Sequence, residues 1–193
     1  MGITIHYNGR FNKDASLLEM VHEVKDIAEV CEWDYTVFNE DFPEKTDSLD
    51  TYNDEIYGIE LTPPNCESVS LCFLSNRRMS CAMQLMLWGN ADPSEEKYLY
   101  QLFTKTQFAG VDVHKFIIHL FRYLEEKNFF EHLEVNDEGR YWETGDEEVL
   151  KKQFRKNAAI LDSFSFALEN VPREPGESFQ SYFERIIKIL SQK

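Results

Sequence analysis

The stretch TKTQFAGVDVHKFIIHLFRYLEEKNFF, residues 104–130, joins the polar end of a strand to a strongly amphipathic segment at Gly110. Beyond this glycine, apolar residues recur three and four positions apart, which predicts a core-facing helix over about 112–127. Its apolar stripe consists of Val113, Phe116, Ile117, Leu120, Phe121 and Leu124. His119 falls on the solvent side of this helix and His114 at the edge of the stripe, about 140° apart by the helical period, so they cannot share one metal ion.

The segments upstream predict one more helix and a series of strands. Residues 3–7 alternate between apolar and polar, as in a half-buried strand. Ser16 and Glu19 form a capping box that predicts the start of a helix over about 17–31. Further strands are predicted from β-branched and aromatic content in DYTVFNEDF, IYGIEL, SVSLCFLS, SCAMQLMLW and KYLYQLFTKTQF.

The segments downstream predict a hairpin and two helices. EHLEVNDEGRYWET, residues 131–144, has the turn residues of a short hairpin. Thr144 or Asp146 then caps a long helix that extends to about residue 169, and Ser178 caps a final helix.

This order of elements predicts an α+β protein. We expect an antiparallel sheet of about five to six strands in strand-helix-strands-helix order, as in TATA-binding-protein-like or helix-grip-like folds, with two further C-terminal helices. Residues 1–130 would form the α+β core domain, and residues 131–193 would pack a hairpin and two helices on the same core, giving one domain.

The chain is strongly acidic, with 35 acidic and 20 basic residues and a net charge of −15. Such a field repels phosphate backbones, which argues against nucleic acid as a partner, and it attracts a basic protein. Residues 32–60 hold ten acidic residues against Lys45. The candidate contact residues of this stretch are Asp47, Asp50, Asp54 and Glu55. The alternative interpretation is that the acidity only favours solubility.

Other patterns argue against membranes, metals and cofactors. We find no apolar run near the ~20 residues of a membrane span, no nucleotide-binding or zinc-protease motif, and no metal-type cysteine spacing. The sequence therefore predicts no cofactor, no metal and no membrane association. Four cysteines without a CxxC pair predict a reducing, cytoplasmic setting.

Four residues are candidates for catalysis. His6 lies on the polar side of the first strand, Lys105 lies at a strand end, His114 lies in the core helix, and Glu143 lies in the predicted hairpin. An enzyme would need a histidine to meet Lys105 or a carboxylate in one cleft.

Four further residues are candidates for binding. Arg77 and Arg78 lie at a predicted hairpin tip, where guanidinium groups suit planar anions. Tyr141 and Trp142 are aromatic residues of a kind that anchors interfaces. The alternatives are an ordinary solvated turn for the arginines and core packing for the aromatics.

Parts of the sequence resemble a family of bacterial cytoplasmic proteins without an established activity. The resemblance rests on TIHYNGRFN, VSLCFLSN, TKTQFAG and NDEGRYWETGD, and it covers most of the chain. It implies a bacterial, cytoplasmic protein and brings no active site or cofactor with it.

Three hypotheses for function follow. The first is a non-enzymatic interaction module that binds a basic partner, as an immunity or inhibitor protein does. The second is a small-molecule binding module of helix-grip type, in which the sheet and a helix enclose an apolar pocket. The third is an enzyme with an unrecognised site.

Overall fold

The computed structural model describes residues 2–43, 51–90, 92 and 94–190. These residues form an α+β protein with two small antiparallel sheets, so the predicted class is confirmed. A short 3-10 helix spans Glu96–Tyr100. The other elements are β1 (Thr4–Phe11), α1 (Leu17–Val30), β2 (Asp34–Val37), β3 (Tyr57–Thr62), β4 (Val69–Phe73), α2 (Ala82–Trp88), β5 (Leu102–Lys105), α3 (Gly110–Glu126), β6 (Phe130–Asp137), α4 (Tyr141–Thr144), α5 (Glu147–Asn170) and α6 (Phe179–Leu190).

Each sheet has three strands, in the orders β5-β1-β6 and β2-β3-β4. The chain turns back after β4, and the segment 74–79 links the two sheets. Arg78 pairs with Arg10 of β1, and Met79 pairs with Phe73 of β4, each as an isolated bridge. The backbone N–H of Met79 also donates to the carbonyl of Gly9 at 2.9 Å. Where the sequence predicts one sheet of five to six strands, the described residues thus form two sheets of three, joined by a short irregular segment.

A shared core lies beneath the two sheets. Helix α1 packs against β3, and α3 packs against β6. The rings of Tyr7 in β1 and Phe121 in α3 lie 4.8 Å apart, and Phe11 meets Phe73 of the other sheet at 5.1 Å. The Tyr7 hydroxyl accepts a hydrogen bond from the backbone N–H of Ser70 at 2.9 Å, and burial raises its pKa. These contacts tie both sheets to one interior.

Three predicted segments differ from the structure: one strand is wrong, and one strand and one hairpin are correct only in part. The segment 80–88, predicted as a strand, contains the helix α2. The Cys81 sulfur caps this helix by accepting the N–H of Gln84, and the nearly continuous apolar sequence shows no helical periodicity. The segment 97–108 splits into the 3-10 helix and β5. The segment 131–144 continues β6 and then enters α4, so the chain does not return as a second hairpin strand.

The C-terminal helices begin where the sequence predicts. Asp146 accepts the N–H of Glu148 at 2.8 Å and starts α5, and Ser178 accepts the N–H of Ser181 at 3.1 Å. Leu150 is buried in the main core, whereas the later part of α5 packs chiefly against α6. The division into 1–130 and 131–193 stays a prediction.

Candidate binding groove

The β5-β1-β6 sheet has one buried face and one outward face. Alternation along β1 buries Ile5 and directs His6 outward, and alternation along β5 directs Phe103 outward. His6 pairs across the sheet with Phe103 on one side and with Asn136 on the other. Phe103 is 53% exposed, which places a large aromatic ring on an otherwise polar surface. An apolar ring in such a position is a feature of contact surfaces.

Two open pockets on this outward face share His6 and Phe103, and we call the two together the sheet groove. Its aromatic end has a volume of about 850 Å³, and its polar end, named for its charged side chains, has a volume of about 670 Å³. The aromatic end is lined mainly by Trp88, Tyr98, Glu134 and Asn136. The residues that line the polar end include Glu67, Lys105, Glu138, Lys156 and Asn157. His6 and Phe103 line both ends, so an extended ligand that spans the groove would contact both residues.

The aromatic end combines a tilted pair of aromatic rings with one carboxylate. The rings of Trp88 and Tyr98 lie 5.0 Å apart. Asn8 donates to the Glu134 carboxylate at 3.1 Å and holds it at the groove floor. Aromatic faces attract cations, and a carboxylate pairs with them. This end therefore suits a lysine or arginine side chain, whose alkyl stem lies on the rings while its charged head reaches the carboxylate.

Helix α2 forms one wall of the groove and is itself an exposed apolar surface. Each of its seven residues is at least partly exposed. Met83, Met86 and Leu87 are 64%, 77% and 58% exposed. We call these three residues the α2 surface. Methionine side chains adapt to partners of varied shape, and clustered exposed apolar residues mark interaction sites.

The polar end carries both signs of charge. Nε2 of His6 lies 3.5 Å from Oε1 of Glu138, whose other oxygen accepts the backbone N–H of Thr4 at 2.9 Å. Lys105 and Lys156 add two positive charges. Because the charges are mixed, this end favours a ligand with polar groups of both kinds.

Two of the four catalytic candidates share the groove. His6 and Lys105 both line its polar end. His114, by contrast, is fully buried beneath the other face of the sheet. Glu143 is exposed on α4 and lines neither end of the groove. The structure therefore does not bring His6, His114 and Glu143 into one cleft.

His114 belongs to a buried polar cluster that organises a turn. Its Nδ1 lies 2.7 Å from the Thr106 hydroxyl, and its Nε2 lies 3.0 Å from Oδ1 of Asp137. The Asp137 carboxylate also accepts the backbone N–H groups of Gly139 and Tyr141 at 2.6 and 2.7 Å. Burial acts to raise the pKa of Asp137, but His114 and the backbone donors outweigh it and lower the pKa below its ordinary value.

The two candidate arginines stack on rings instead of projecting from the turn. The guanidinium of Arg77 lies 4.5 Å from the ring centre of Phe42, and that of Arg78 lies 3.3 Å from the ring centre of Tyr100. Burial lowers the pKa of Arg77. Both side chains thus contact the body of the protein.

The aromatic and acidic binding candidates are either held by contacts within the protein or exposed to solvent. Tyr141 is buried, and the carbonyl of Trp142 accepts a hydrogen bond from Arg122 at 2.7 Å. Asp54 is exposed, and Glu55 accepts a hydrogen bond from the hydroxyl of Tyr57 at 2.8 Å. Two candidates, Asp47 and Asp50, lie outside the described residues.

Comparisons with known proteins add no assignment. No family model, curated protein or solved structure matches this chain.

Within the described ranges, no group of three or more His, Cys, Asp or Glu side chains is arranged to hold a metal ion. Among the helices of the described part, none is long and apolar enough to cross a membrane.

The sequence analysis missed the aromatic residues of the groove. Trp88, Tyr98 and Phe103 belong to three elements that the sequence predicts as two strands. One signal was available, because LFTK at 102–105 places a phenylalanine on the same side as a lysine. An aromatic residue on the polar side of an alternating strand indicates a contact surface.

Proposed function

We propose that this protein is a non-enzymatic interaction module that binds a basic segment of a protein partner across the sheet groove and the α2 surface. The observation that carries the proposal is α2 itself: Gln84 and Trp88 line the aromatic end of the groove, and Met83, Met86 and Leu87 are exposed elsewhere on the same short helix. Covering these side chains with a partner would bury apolar area, which stabilises a complex.

The charge distribution supports a basic partner. The net charge of −15 accelerates the approach of a positive protein over distances of about one Debye length, roughly 8 Å at physiological salt. At short range, Glu134 supplies a carboxylate among the residues that line the aromatic end. A lysine or arginine of the partner would pair with Glu134 and stack on Trp88, since the ammonium of Lys97 already lies 5.0 Å from the ring centre of Tyr98. The same acidity matches an inhibitor or immunity role, in which a basic protein is sequestered.

Packing beneath the sheet argues against the helix-grip alternative. Such a module needs a pocket between the sheet and its helix. Here Tyr7, Ile117 and Phe121 fill that space and are almost fully buried. A small molecule would have to bind in the open sheet groove, where less of its surface is buried.

An enzyme remains the third proposal, and it would have to use His6 with Glu138. The bacterial, cytoplasmic setting is proposed from the sequence resemblance alone.

A peptide selection tests the proposal without knowledge of the partner. A random peptide library is selected on the immobilised wild-type protein, and the enriched peptides are sequenced. We expect enrichment of peptides that contain lysine or arginine next to apolar residues. Because Glu134 and Met86 contribute to the surface, the Glu134→Gln and Met86→Ser variants should retain fewer of these peptides.

Matched variants distinguish the groove from the remaining surface. Glu126→Gln removes another exposed carboxylate, and Val30→Ser removes another exposed apolar side chain from a helix. Both controls should retain the enriched peptides. Enrichment of acidic or neutral peptides, or equal retention by groove variants and controls, contradicts the proposal.

A further inference from the structure

The C-terminal end of the protein is a helical hairpin with a small core of its own. We call residues 155–190 the C-terminal arm. Ala167, Tyr182 and Ile186 are buried between its two helices. The hydroxyl of Tyr182 donates to the carbonyl of Val171 at 2.8 Å, which fixes the turn between the helices. The arm is therefore an ordered structural element.

One side of the arm is apolar and open. A groove of about 930 Å³ runs between α5 and α6 and is lined by apolar side chains that include Ile160, Phe164, Phe166, Ile187 and Leu190. Phe166 and Ile187 are 61% and 57% exposed. Two helices alone cannot cover their apolar sides, and exposed areas of this kind are usually covered by another helical element.

The charge of the arm differs from that of the rest of the protein. Residues 155–190 contain five basic and five acidic residues and are neutral, although the whole chain carries −15. Two copies of the acidic remainder repel one another, whereas two arms do not. A second copy of this chain can therefore approach the arm without the repulsion that it meets elsewhere.

The area of the arm is sufficient for a dimer. The part of α5 in the arm, residues 155–170, is about 24 Å long, and two helices side by side are about 20 Å wide. Such a face has an area on the order of 500 Å² per copy, or about 1,000 Å² per pair, which is about the minimum for a specific interface.

We propose that two copies of this chain pair through the C-terminal arm, groove against groove about a twofold axis, and form a four-helix bundle. Both copies contribute the same residues, so Phe166 and Ile187 of each copy enter the groove of the other. Hairpins of two antiparallel helices pack in this way when each hairpin has one apolar side.

Analytical ultracentrifugation of the full chain tests this inference. At tens of micromolar, wild type should sediment as a species of twice 22.8 kDa. Phe166→Glu and Ile187→Glu each bury a charge in the interface, and each should raise the dissociation constant at least about tenfold. Val30→Glu alters an exposed apolar residue at the end of α1 and should dimerise like wild type. Circular dichroism checks that every variant keeps its helices.

Salt dependence separates the dimer from the proposed binding of a basic partner. Raising salt screens the repulsion between two acidic copies, so dimerisation should strengthen. Binding of a basic peptide should weaken in the same experiment. A wild type that is monomeric at all concentrations overturns the inference. It is also overturned if the Phe166→Glu and Ile187→Glu variants are folded and still dimerise like wild type, or if Val30→Glu disrupts the dimer. None of these results bears on the proposed binding of a basic segment in the sheet groove.

Discussion

His6 and Phe103 lie opposite each other on neighbouring strands, with their ring centroids 6.4 Å apart on the outward face of the β5-β1-β6 sheet. Both residues line both ends of the sheet groove. They therefore form the junction between the aromatic end and the polar end. A partner segment that crosses the groove must pass over this pair.

Substitution of Phe103 should weaken binding more than folding. Because the Phe103 ring is already largely exposed, Phe103→Ser should change the free energy of unfolding by less than about 1 kcal/mol. The affinity for a selected basic peptide should fall about tenfold or more, as at a binding hot spot. Phe108→Ser, at another exposed phenylalanine, is the control. Equal effects of the two substitutions on affinity would show that the ring is not a contact.

Asp137 should be essential for stability. Asp137→Asn disturbs a buried carboxylate that accepts backbone N–H groups and lies beside His114, so the free energy of unfolding should fall by about 2–4 kcal/mol. Glu131→Gln, an exposed position on the same strand, should change it by less than about 0.5 kcal/mol. Denaturant unfolding of both variants measures the difference. A loss below 1 kcal/mol for Asp137→Asn contradicts this role.

Stability should decrease at acidic pH. A hydrogen bond from Lys115 and, to a smaller extent, one from Lys151 lower the pKa of Glu147 to about 2. The unfolded chain, with a glutamate pKa of about 4.3, therefore binds more protons than the folded chain between about pH 5 and pH 2. The free energy of unfolding falls as pH decreases through this window. Urea unfolding at several pH values should give a shallower decline for Glu147→Gln, and an unchanged slope would refute the assignment.

Gly58 should tolerate no side chain. Its φ of +118° lies outside the range that other residues adopt easily, and a Cβ there would collide with the carbonyl oxygen of Leu71 on β4. We expect Gly58→Ala to lower the free energy of unfolding by about 3 kcal/mol or more. Gly145, with φ of +63° and open space around its Cα, is the matched control and should lose only about 1 kcal/mol on substitution by alanine. Similar losses at both sites would show that the collision is relieved by a shift of β4.

Elements with strong periodicity and capping residues could be predicted from the sequence. Ser16, Asp146 and Ser178 each mark a helix start, and each side chain accepts the expected backbone N–H. α2 could not be recognised, because its seven residues are nearly all apolar and its cap is a cysteine sulfur. α4 begins after Arg140 in a left-handed conformation, which residue type alone does not indicate.

The candidate site was less predictable than the fold. His6 and Lys105 were recognised because single polar residues in strands are visible in the sequence, and they do line the groove. Glu134 is brought to the groove by the pairing of β6 with β1, and Trp88 by the packing of α2 on the 3-10 helix, and a single sequence specifies neither contact. His114 was misplaced to a helix edge, because its buried partners Thr106 and Asp137 come from other elements.

The affinity of the most enriched basic peptide for wild type and for Glu134→Gln, measured side by side, tests the central claim most directly. At low salt, Glu134→Gln should bind about tenfold more weakly, and Glu126→Gln should bind like wild type. Raising ionic strength from about 0.01 M to about 0.1 M, which shortens the Debye length from about 30 to 10 Å, should weaken wild-type binding. Equal affinities of wild type and Glu134→Gln, without dependence on salt, would contradict the claim that the groove receives a basic segment.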